Sequence, residues 1–389
     1  MVLDCAPMSQ VHERTLAIQS AATALGFDRC EAAPVRALDA APRLREWLAL
    51  GMHGSMQWME RSADRRADPR LVVPEAKSVL IVTRSYWTGE EATADPSRAR
   101  ISRYAWGDEY HDVLGAGLRD LYQQVRQIAP GVVGRYYIDT GPVMEKAWAE
   151  LAGVGWIGKH SNLITAGVGS WFFLGAIVLD CELAYGEPVA DQCGSCTACI
   201  DVCPTKAIVA PYVVDARLCI SYLTIENRGP IPRELRTAVG NRIFGCDECQ
   251  DVCPWNRFAQ VGAAASVFSA RADLRAPDLV DLLGLDEHGF RTLFRGSPVK
   301  RAKYQGFLRN VAVALGNSDH PHAVSALTAR LQHDSALVRG HCAWALGRFD
   351  DAAARAALVE QRPREPDAWV CEEIDAALAQ TIEDPSGSF

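Results

Sequence analysis

Hydrophobic residues recur with two different periods along this chain, and the change of period divides it. Between residues 10 and 25 they follow the helical repeat, with Ser9 placed as an N-cap, which predicts an amphipathic helix. Residues 78–83 (Ser-Val-Leu-Ile-Val-Thr) form instead a short β-branched run, and 131–138 and 171–179 are two more. All three are expected to be strands. Residues 112–129 and 143–152 read as helices between them. Mixed strands and helices over residues 1 to about 185 predict one α+β domain. From about 188 to 258 the periodicity is lost and turn residues dominate.

The last hundred residues change character again. Ala314-Leu315-Gly316 recurs as Ala345-Leu346-Gly347, each preceded by an arginine (Arg309, Arg339) at the head of an apolar helix. Leu327 and Leu331 lie on an intervening helix, and residues 376–378 echo the pattern. A period near thirty residues of paired helices predicts a short α-solenoid of HEAT type. Such repeats present a concave surface to a partner and carry no chemistry themselves; a plain helical cap on the main domain is the alternative. The expected divisions are therefore residues 1–187, 188–260, a connecting segment 261–300, and 301–389.

Composition adds limits. A chain of 389 residues, 49% hydrophobic and 23% charged, is that of a soluble globular protein with two or three domains. No run reaches the ~18 apolar residues of a membrane helix. The first 25 residues carry Asp4, His12, Glu13 and Arg14 without a long apolar core or a twin arginine, so neither a secretory signal nor an export signal is expected. A cytoplasmic protein without membrane attachment follows. The net charge of −8 argues against wholesale nucleic-acid coating. Residues 291–310 nevertheless hold Arg291, Arg295, Lys300, Arg301, Lys303 and Arg309 with no acid. From charge alone this is a solvated helix face, but it runs directly into the repeats, which strengthens a phosphate-binding reading.

The candidate chemistry lies in the cysteines. Cys193-Gly-Ser-Cys196-Thr-Ala-Cys199-Ile-Asp-Val-Cys203-Pro204 has the C-x2-C-x2-C-x3-C-P spacing of two-cluster ferredoxins, where the fourth cysteine ligates the other cluster. The second run, Cys246-Asp-Glu-Cys249-Gln-Asp-Val-Cys253-Pro254, lacks a first cysteine, and Cys219 supplies it. Cys193, Cys196, Cys199 and Cys253 are then expected on one 4Fe-4S cluster, and Cys203, Cys219, Cys246 and Cys249 on the other. Zinc also uses paired C-x2-C spacings, but needs one four-ligand set rather than two interlocked ones. No C-x3-C-x2-C occurs, which disfavours a radical-SAM cluster. Cys5, Cys30, Cys181, Cys342 and Cys371 are scattered and read as buried or incidental thiols of a reducing compartment.

Two clusters carry electrons without naming a substrate. Gly153, Gly155 and Gly158 follow a predicted helix rather than a strand, so a dinucleotide fingerprint is rejected. Asp139 stands at the end of a buried strand in Tyr136-Tyr137-Ile138-Asp139-Thr140-Gly141-Pro142. It either helps cap a helix beginning near Pro142 or serves as a proton donor, and the residues alone leave both open.

Five further motifs complete the picture: Asp139-Thr140-Gly141-Pro142 followed by Glu145-Lys146; Gly155-Trp156-Ile157-Gly158-Lys159-His160-Ser161; Gly169-Ser170-Trp171-Phe172-Phe173-Leu174-Gly175; Ser102-Arg103-Tyr104-Ala105-Trp106-Gly107 with Tyr110-His111; and Gly54-Ser55-Met56-Gln57-Trp58-Met59. With the cysteine spacing, they make the chain resemble the epoxyqueuosine reductases over about residues 10–258, and its tail resembles that of the longer members. The resemblance implies a multidomain α+β protein. It would comprise an α/β cobalamin-binding, nitroreductase-like domain, a ferredoxin-like two-cluster domain and C-terminal α-helical HEAT-like repeats. It implies an oxidoreductase related to reductive dehalogenases, reducing epoxyqueuosine to queuosine at the wobble position of tRNAs with GUN anticodons. Electrons from an external donor would pass through the two 4Fe-4S clusters to cobalamin. Asp139 matches the family's proton donor. Ser102 and Glu109 match positions near the substrate, with Glu109 standing where an aspartate is expected. Arg103, Tyr104, His160, Ser161, Ser170, Trp171, Tyr222 and Arg228, together with Ser102, are implied for the corrin or nucleotide pocket, although Tyr104 and Trp171 also suit a core. Lys300, Arg301 and Lys303 would hold the anticodon stem. The sequence has no D-x-H-x-x-G, so a corrin would be held without a protein histidine on cobalt. A monomer is expected. The competing readings are a cytoplasmic reductive dehalogenase, a non-catalytic electron-transfer protein docking through its repeats, and a scaffold with structural clusters.

Overall fold

A computed structural model describes residues 8–262 and 265–379, which form two units built from separated stretches of chain. Of the described residues, the first takes those up to 90, 107–215 and those of 247–269, and the second 91–106, 216–246 and those from 270 onward. Cys5 lies outside the described residues.

The first unit is organised on a four-stranded antiparallel sheet of β1 (Arg29–Pro34), β2 (Ser78–Ser85), β3 (Gly134–Tyr137) and β4 (Phe172–Leu179), in the order β1-β2-β4-β3. The central pair runs in register from Ser78 opposite Leu179 to Ser85 opposite Phe172. Both are near-continuous apolar runs because helices cover both faces. Val79, Ile81, Ala176 and Val178 meet Ala147, Trp148 and Leu151 of one helix, Glu145–Leu151. The helix Tyr110–Ile128 packs on β4 with Leu114, Leu118, Leu121 and Val125 buried, and the helix Met8–Ala24 lies against it. Val79, Leu80, Ile81 and Val82 are fully buried, each stabilising the fold by roughly 1.5–3 kcal/mol. In chain order these three helices are α1 (Met8–Ala24), α2 (Tyr110–Ile128) and α3 (Glu145–Leu151).

The expected elements are present with shifted ends, and the shifts have local causes. The strand expected at 131–138 begins only at Gly134, because Gly131 turns the chain at φ +86°. Helix α2 begins at Tyr110, two residues early, because the Glu109 carboxylate accepts from the His111 N–H at 3.3 Å.

The second unit is helical. Its last five main helices are α4 (Tyr304–Gly316), α5 (Ala323–Arg330), α6 (Ala336–Leu346), α7 (Ala352–Gln361) and α8 (Ala368–Ala379). The repeated Ala-Leu-Gly marks where alternate helices, α4 with α6 and α6 with α8, approach closely. A Cβ on Gly316 would lie 2.8 Å from Ala345 Cβ, and one on Gly347 would lie 2.6 Å from Ala377 Cβ. The arginines that recur with the repeat are internal braces. Arg309 is fully buried and donates to the carbonyls of Leu223, Asn227 and Gly229. Arg339 makes a two-pronged ion pair with Glu365, at 2.6 and 2.8 Å. Among the described residues no helix is long and apolar enough to cross a membrane.

Candidate functional site

Four of the paired cysteines come together in the first unit. Cys193, Cys196, Cys199 and Cys253 line a cavity of about 310 Å3 with Lys159, His160, Ile164, Trp255 and Phe258. The short helix Ala198–Val202 carries Cys199, and Cys253 ends at Pro254, where a tight 3-10 turn begins. The turn through Cys193 is pinned twice. Its N–H donates to Asp191 Oδ1 at 2.7 Å, and Tyr212 donates its hydroxyl to the other oxygen of that carboxylate. Lys159 Nζ donates to the carbonyls of Gly194 (2.6 Å) and Cys196 (2.9 Å), so one ammonium ties down the loop between two thiols. Trp156 and Trp255 meet edge to face at 5.0 Å and close the wall beside Cys253.

The electrostatics of this cavity suit a metal cluster. Burial first, then the facing Cys253, Cys193 and Cys196 thiolates, push the Cys199 thiol up to about 11. Burial likewise raises Cys193 and Cys253. Bare thiolates repel one another here, and the positive charge of iron removes that cost. The first three thiols of one run and the last of the other line one cavity, which is the interlocked set that the two-cluster spacing pairs. Of the other four cysteines, Cys203 and Cys249 lie in the first unit and Cys219 and Cys246 in the second.

Asp139 sits where the edge strand β3 ends. The backbone turns there into the left-handed region (φ +53°), which Asp tolerates better than most residues, and the Thr140 N–H donates to the Ile138 carbonyl. Helix α3 begins six residues later with Met144 at its N-cap, so Asp139 does not cap it. Its carboxylate instead accepts from the Tyr110 hydroxyl at 2.8 Å. The Tyr110 ring lies flat on Phe173 of β4, with centroids 4.5 Å apart and planes 6° apart, so the sheet fixes the phenol that fixes the acid. His111 Nε2 lies 3.8 Å from the same carboxylate, and its Nδ1 is 2.7 Å from Glu109 Oε1. The Asp139 side chain keeps 70% of its surface within reach of solvent or a ligand.

A second acid lies behind the first. Glu145, the opening residue of α3, is half-buried, and desolvation with the nearby Asp139 charge pushes its pKa up to about 8. Its Oε1 has no hydrogen-bond partner among the described residues. Arg66, held to the Val143 carbonyl at 3.0 Å and to Ser62 Oγ at 2.9 Å, sets a positive charge near both acids. The sequence motif containing Glu145 was in view, but neither its burial nor the phenol of Tyr110 had a periodic or spacing signal. Lys159 is adjacent to His160 in sequence and was likewise visible only as part of a motif.

The remaining expected residues are spread over both units. In the first unit, His160 is buried on the cysteine cavity and burial pulls its pKa down to about 4. Ser161 turns the chain at φ +63°. Ser170 Oγ accepts from Asn256 Nδ2 at 3.0 Å and from Gln250 Nε2 at 3.1 Å. Trp171 stacks on Trp87 (5.4 Å, 23°), and the pair walls a cavity of about 400 Å3 with Asn256 and Arg257. In the second unit, Ser102 is buried, and Arg103 lies over the Trp106 ring. Tyr104 packs on Phe244, Tyr222 is half-buried, and Arg228 donates to the carbonyls of Ile225 and Ala302.

The basic stretch is less uniform than its sequence. Arg309 is inside the protein, where burial lowers its pKa to about 9, and Arg301 makes a two-pronged pair with Glu226 at 2.9 and 3.1 Å. Arg291 pairs with Glu287. The acids absent from 291–310 arrive from elsewhere in the fold. Lys300 and Lys303 are both exposed, Lys303 at φ +62° at the head of α4.

Comparison with known proteins matches three family profiles: epoxyqueuosine reductase QueG at residues 66–140, a 4Fe-4S double cluster binding domain at 192–256, and HEAT repeats at 303–379. The chain is 45% identical over 338 residues to the epoxyqueuosine reductase of Xanthomonas campestris, covering 85% of this chain and 95% of that one. It is 40% identical over 328 residues to the enzyme of the same name from Escherichia coli K12, covering 83% and 86%. Among solved structures, epoxyqueuosine reductase with an epoxyqueuosine-modified tRNA-Tyr stem loop superposes with a TM-score of 0.85 at 29% identity, covering 93% of this chain and 96% of that one. The Bacillus subtilis enzyme, with an aspartate-bearing catalytic loop swung out of its active site, gives 0.85 at 29% identity over 93% and 97%.

Proposed function

The chain belongs to the epoxyqueuosine reductase family, and we propose that it reduces epoxyqueuosine to queuosine at the wobble position of tRNAs with GUN anticodons. The observation that carries this reading is a cavity ringed by four thiols, Cys193, Cys196, Cys199 and Cys253, in the same unit that presents Asp139 at a strand end. The overall change is addition of two electrons and two protons, with the epoxide oxygen leaving as water and an alkene remaining.

The residues divide that work. Cys193, Cys196, Cys199 and Cys253 would hold one 4Fe-4S cluster, and the spacing assigns Cys203, Cys219, Cys246 and Cys249 to the other. Lys159 fixes the loop of the first set. The half-buried Trp87, backed by the buried Trp171, lines a cavity beside Cys253, and a corrin bound there would supply the low-potential metal at which the epoxide is reduced. Ser102, Arg103, Tyr104, His160, Ser161, Ser170, Tyr222 and Arg228 remain assigned to that cofactor or to the nucleotide. Asp139 holds the proton that the epoxide oxygen takes as its C–O bond breaks, with Tyr110 orienting the carboxyl. Glu109 acts through His111, to which it is hydrogen-bonded, and Lys300 and Lys303 contact tRNA phosphates, with Arg301 held beside them by Glu226. Electrons come from an external donor in the cytoplasm.

The test is anaerobic purification, reconstitution with iron, sulfide and cobalamin, and assay of epoxyqueuosine-containing tRNA with a chemical reductant. Nucleoside mass analysis is expected to show loss of one oxygen only when cobalamin is present. Cobalamin binding without change in the tRNA would reject the reading.

A further inference from the structure

We propose that the Lys159 ammonium raises the reduction potential of the cluster held by Cys193, Cys196, Cys199 and Cys253. The inference rests on the cluster reading of those four thiols. Lys159 lines their cavity and is only 9% exposed. Its Nζ lies 2.6 Å from the Gly194 carbonyl and 2.9 Å from that of Cys196, so the charge sits against the loop that carries two of the four sulfurs. The lysine is held at both ends, because its own carbonyl accepts from the Tyr212 N–H at 3.0 Å. Among the described residues the ammonium forms no ion pair with a carboxylate, and its partners are neutral carbonyls.

Each reduction places one electron from the external donor on a cluster whose ligands are all thiolates. A cation held beside it, in a wall that water barely reaches, stabilises the reduced form more than the oxidised one. The size of that effect falls with distance and with the local dielectric. Two other charges stand near the same thiols. Arg257 also lines the cavity, but it is exposed and lies over the Phe258 ring at 4.6 Å, where solvent screens it. Asp191 accepts from the Cys193 N–H at 2.7 Å and carries the opposite charge, and it too is exposed. Of the three only Lys159 is buried, so its charge is the least screened. Cys253 lines this cavity and also the one lined by Trp87 and Trp171, so a higher potential here draws electrons to the side of the proposed corrin.

Potentiometric EPR of the reconstituted full-length protein tests this. Lys159→Gln keeps a donor for the loop carbonyls and removes the charge. One of the two cluster midpoints is expected to fall, so that the reduced-to-oxidised ratio at fixed potential drops about tenfold, which is about 59 mV for one electron. The other midpoint moves far less, and Lys159→Arg, which keeps the charge, stays near wild type. Asp191→Asn keeps an acceptor for the Cys193 N–H and removes the opposing charge, so the same midpoint is expected to rise. A loosened loop gives no such pair of opposite signs. A midpoint is independent of how much cluster is loaded, so partial iron content does not obscure it. An unmoved midpoint in Lys159→Gln, or a fall in both Lys159→Gln and Asp191→Asn, overturns the proposal. Complete loss of that cluster from Lys159→Gln also overturns it, since the lysine would then only hold the loop. Absence of any cluster signal from reconstituted wild-type protein would remove the cluster reading itself, and this inference with it.

Discussion

The Tyr110 hydroxyl donates to Asp139 Oδ2 at 2.8 Å, and the same phenol ring is stacked on Phe173 of the central strand β4. A carboxyl on a turn is thereby tied to a central strand of its sheet. Asp139→Asn keeps the shape of that contact but removes the transferable proton, so turnover on epoxyqueuosine tRNA should fall by about 10²-fold or more with iron content unchanged. Tyr110→Phe retains the stack and loses only the hydrogen bond, and a smaller loss, about tenfold in kcat, is expected. Single-turnover rates on both variants would check the order. Equal turnover of Asp139→Asn and wild type would remove the carboxyl from the chemistry.

How much of this was legible in the sequence depends on the kind of interaction. The strand runs ending in Ser85 and Leu179 were visible because burial on both faces leaves an unbroken apolar run. The Ala-Leu-Gly repeat was visible because the close helix approaches at Gly316 and Gly347 each require a residue without a side chain. Arg309 and Arg301 were read as members of a basic stripe, yet one is an internal brace and the other faces Glu226. Charge along a sequence does not report acids brought in from 75 residues away. Tyr110 and Glu145 escaped for the same reason: their roles come from a partner across the sheet and from burial, neither of which has a spacing.

Lys159 bridges two carbonyls of the loop that carries Cys193 and Cys196, at 2.6 and 2.9 Å. Groups in this outer layer typically govern metal affinity by 10–100-fold. Lys159→Met should therefore weaken one cluster and spare the other. After desalting, iron and sulfide analysis should find about half of the wild-type content, whereas full retention would show that the loop is fixed without the ammonium.

Glu145 should make the protein less stable as pH rises. Its folded pKa of about 8 lies above the ordinary 4.5, because burial penalises the charged carboxylate. Between those values the folded chain holds a proton that the unfolded chain has released, so stability is greatest below about pH 4.5 and declines until about pH 8. Glu145→Gln removes the ionisation. The variant's melting temperature should exceed that of the parent by a margin that widens from about pH 5 to about pH 8 and then levels off. A constant margin across that range would show that Glu145 is ionised in the fold.

Glu373 in α8 answers two arginines of the helix Arg233–Val239: Arg236 grips both of its oxygens at 2.8 Å, and Arg233 reaches one of them at 2.8 Å. Arg236 and Glu373 are 2% and 4% exposed at their side chains. Glu373→Ala would strand a buried guanidinium, a change that typically costs about 3–5 kcal/mol. Cooperative unfolding of the helical repeats in urea should shift to a lower midpoint. Replacing Arg233 alone, whose side chain is 41% exposed, should have far less effect.

The tRNA contact proposed for the basic stretch narrows to two lysines. Arg301 is engaged with Glu226 and Arg309 is buried, so reversing their charge would disturb the fold as well as any interface. Lys300 and Lys303 can be changed with less risk. Each phosphate deprived of its lysine should reduce the salt dependence of binding by about one unit of slope, and the drop in affinity should be nearly independent of anticodon-loop sequence. Lys300→Glu with Lys303→Glu is therefore expected to weaken binding of epoxyqueuosine tRNA and to flatten a plot of log affinity against log salt by about two units, with both clusters intact. A parallel slope at unchanged affinity would take these lysines out of the interface.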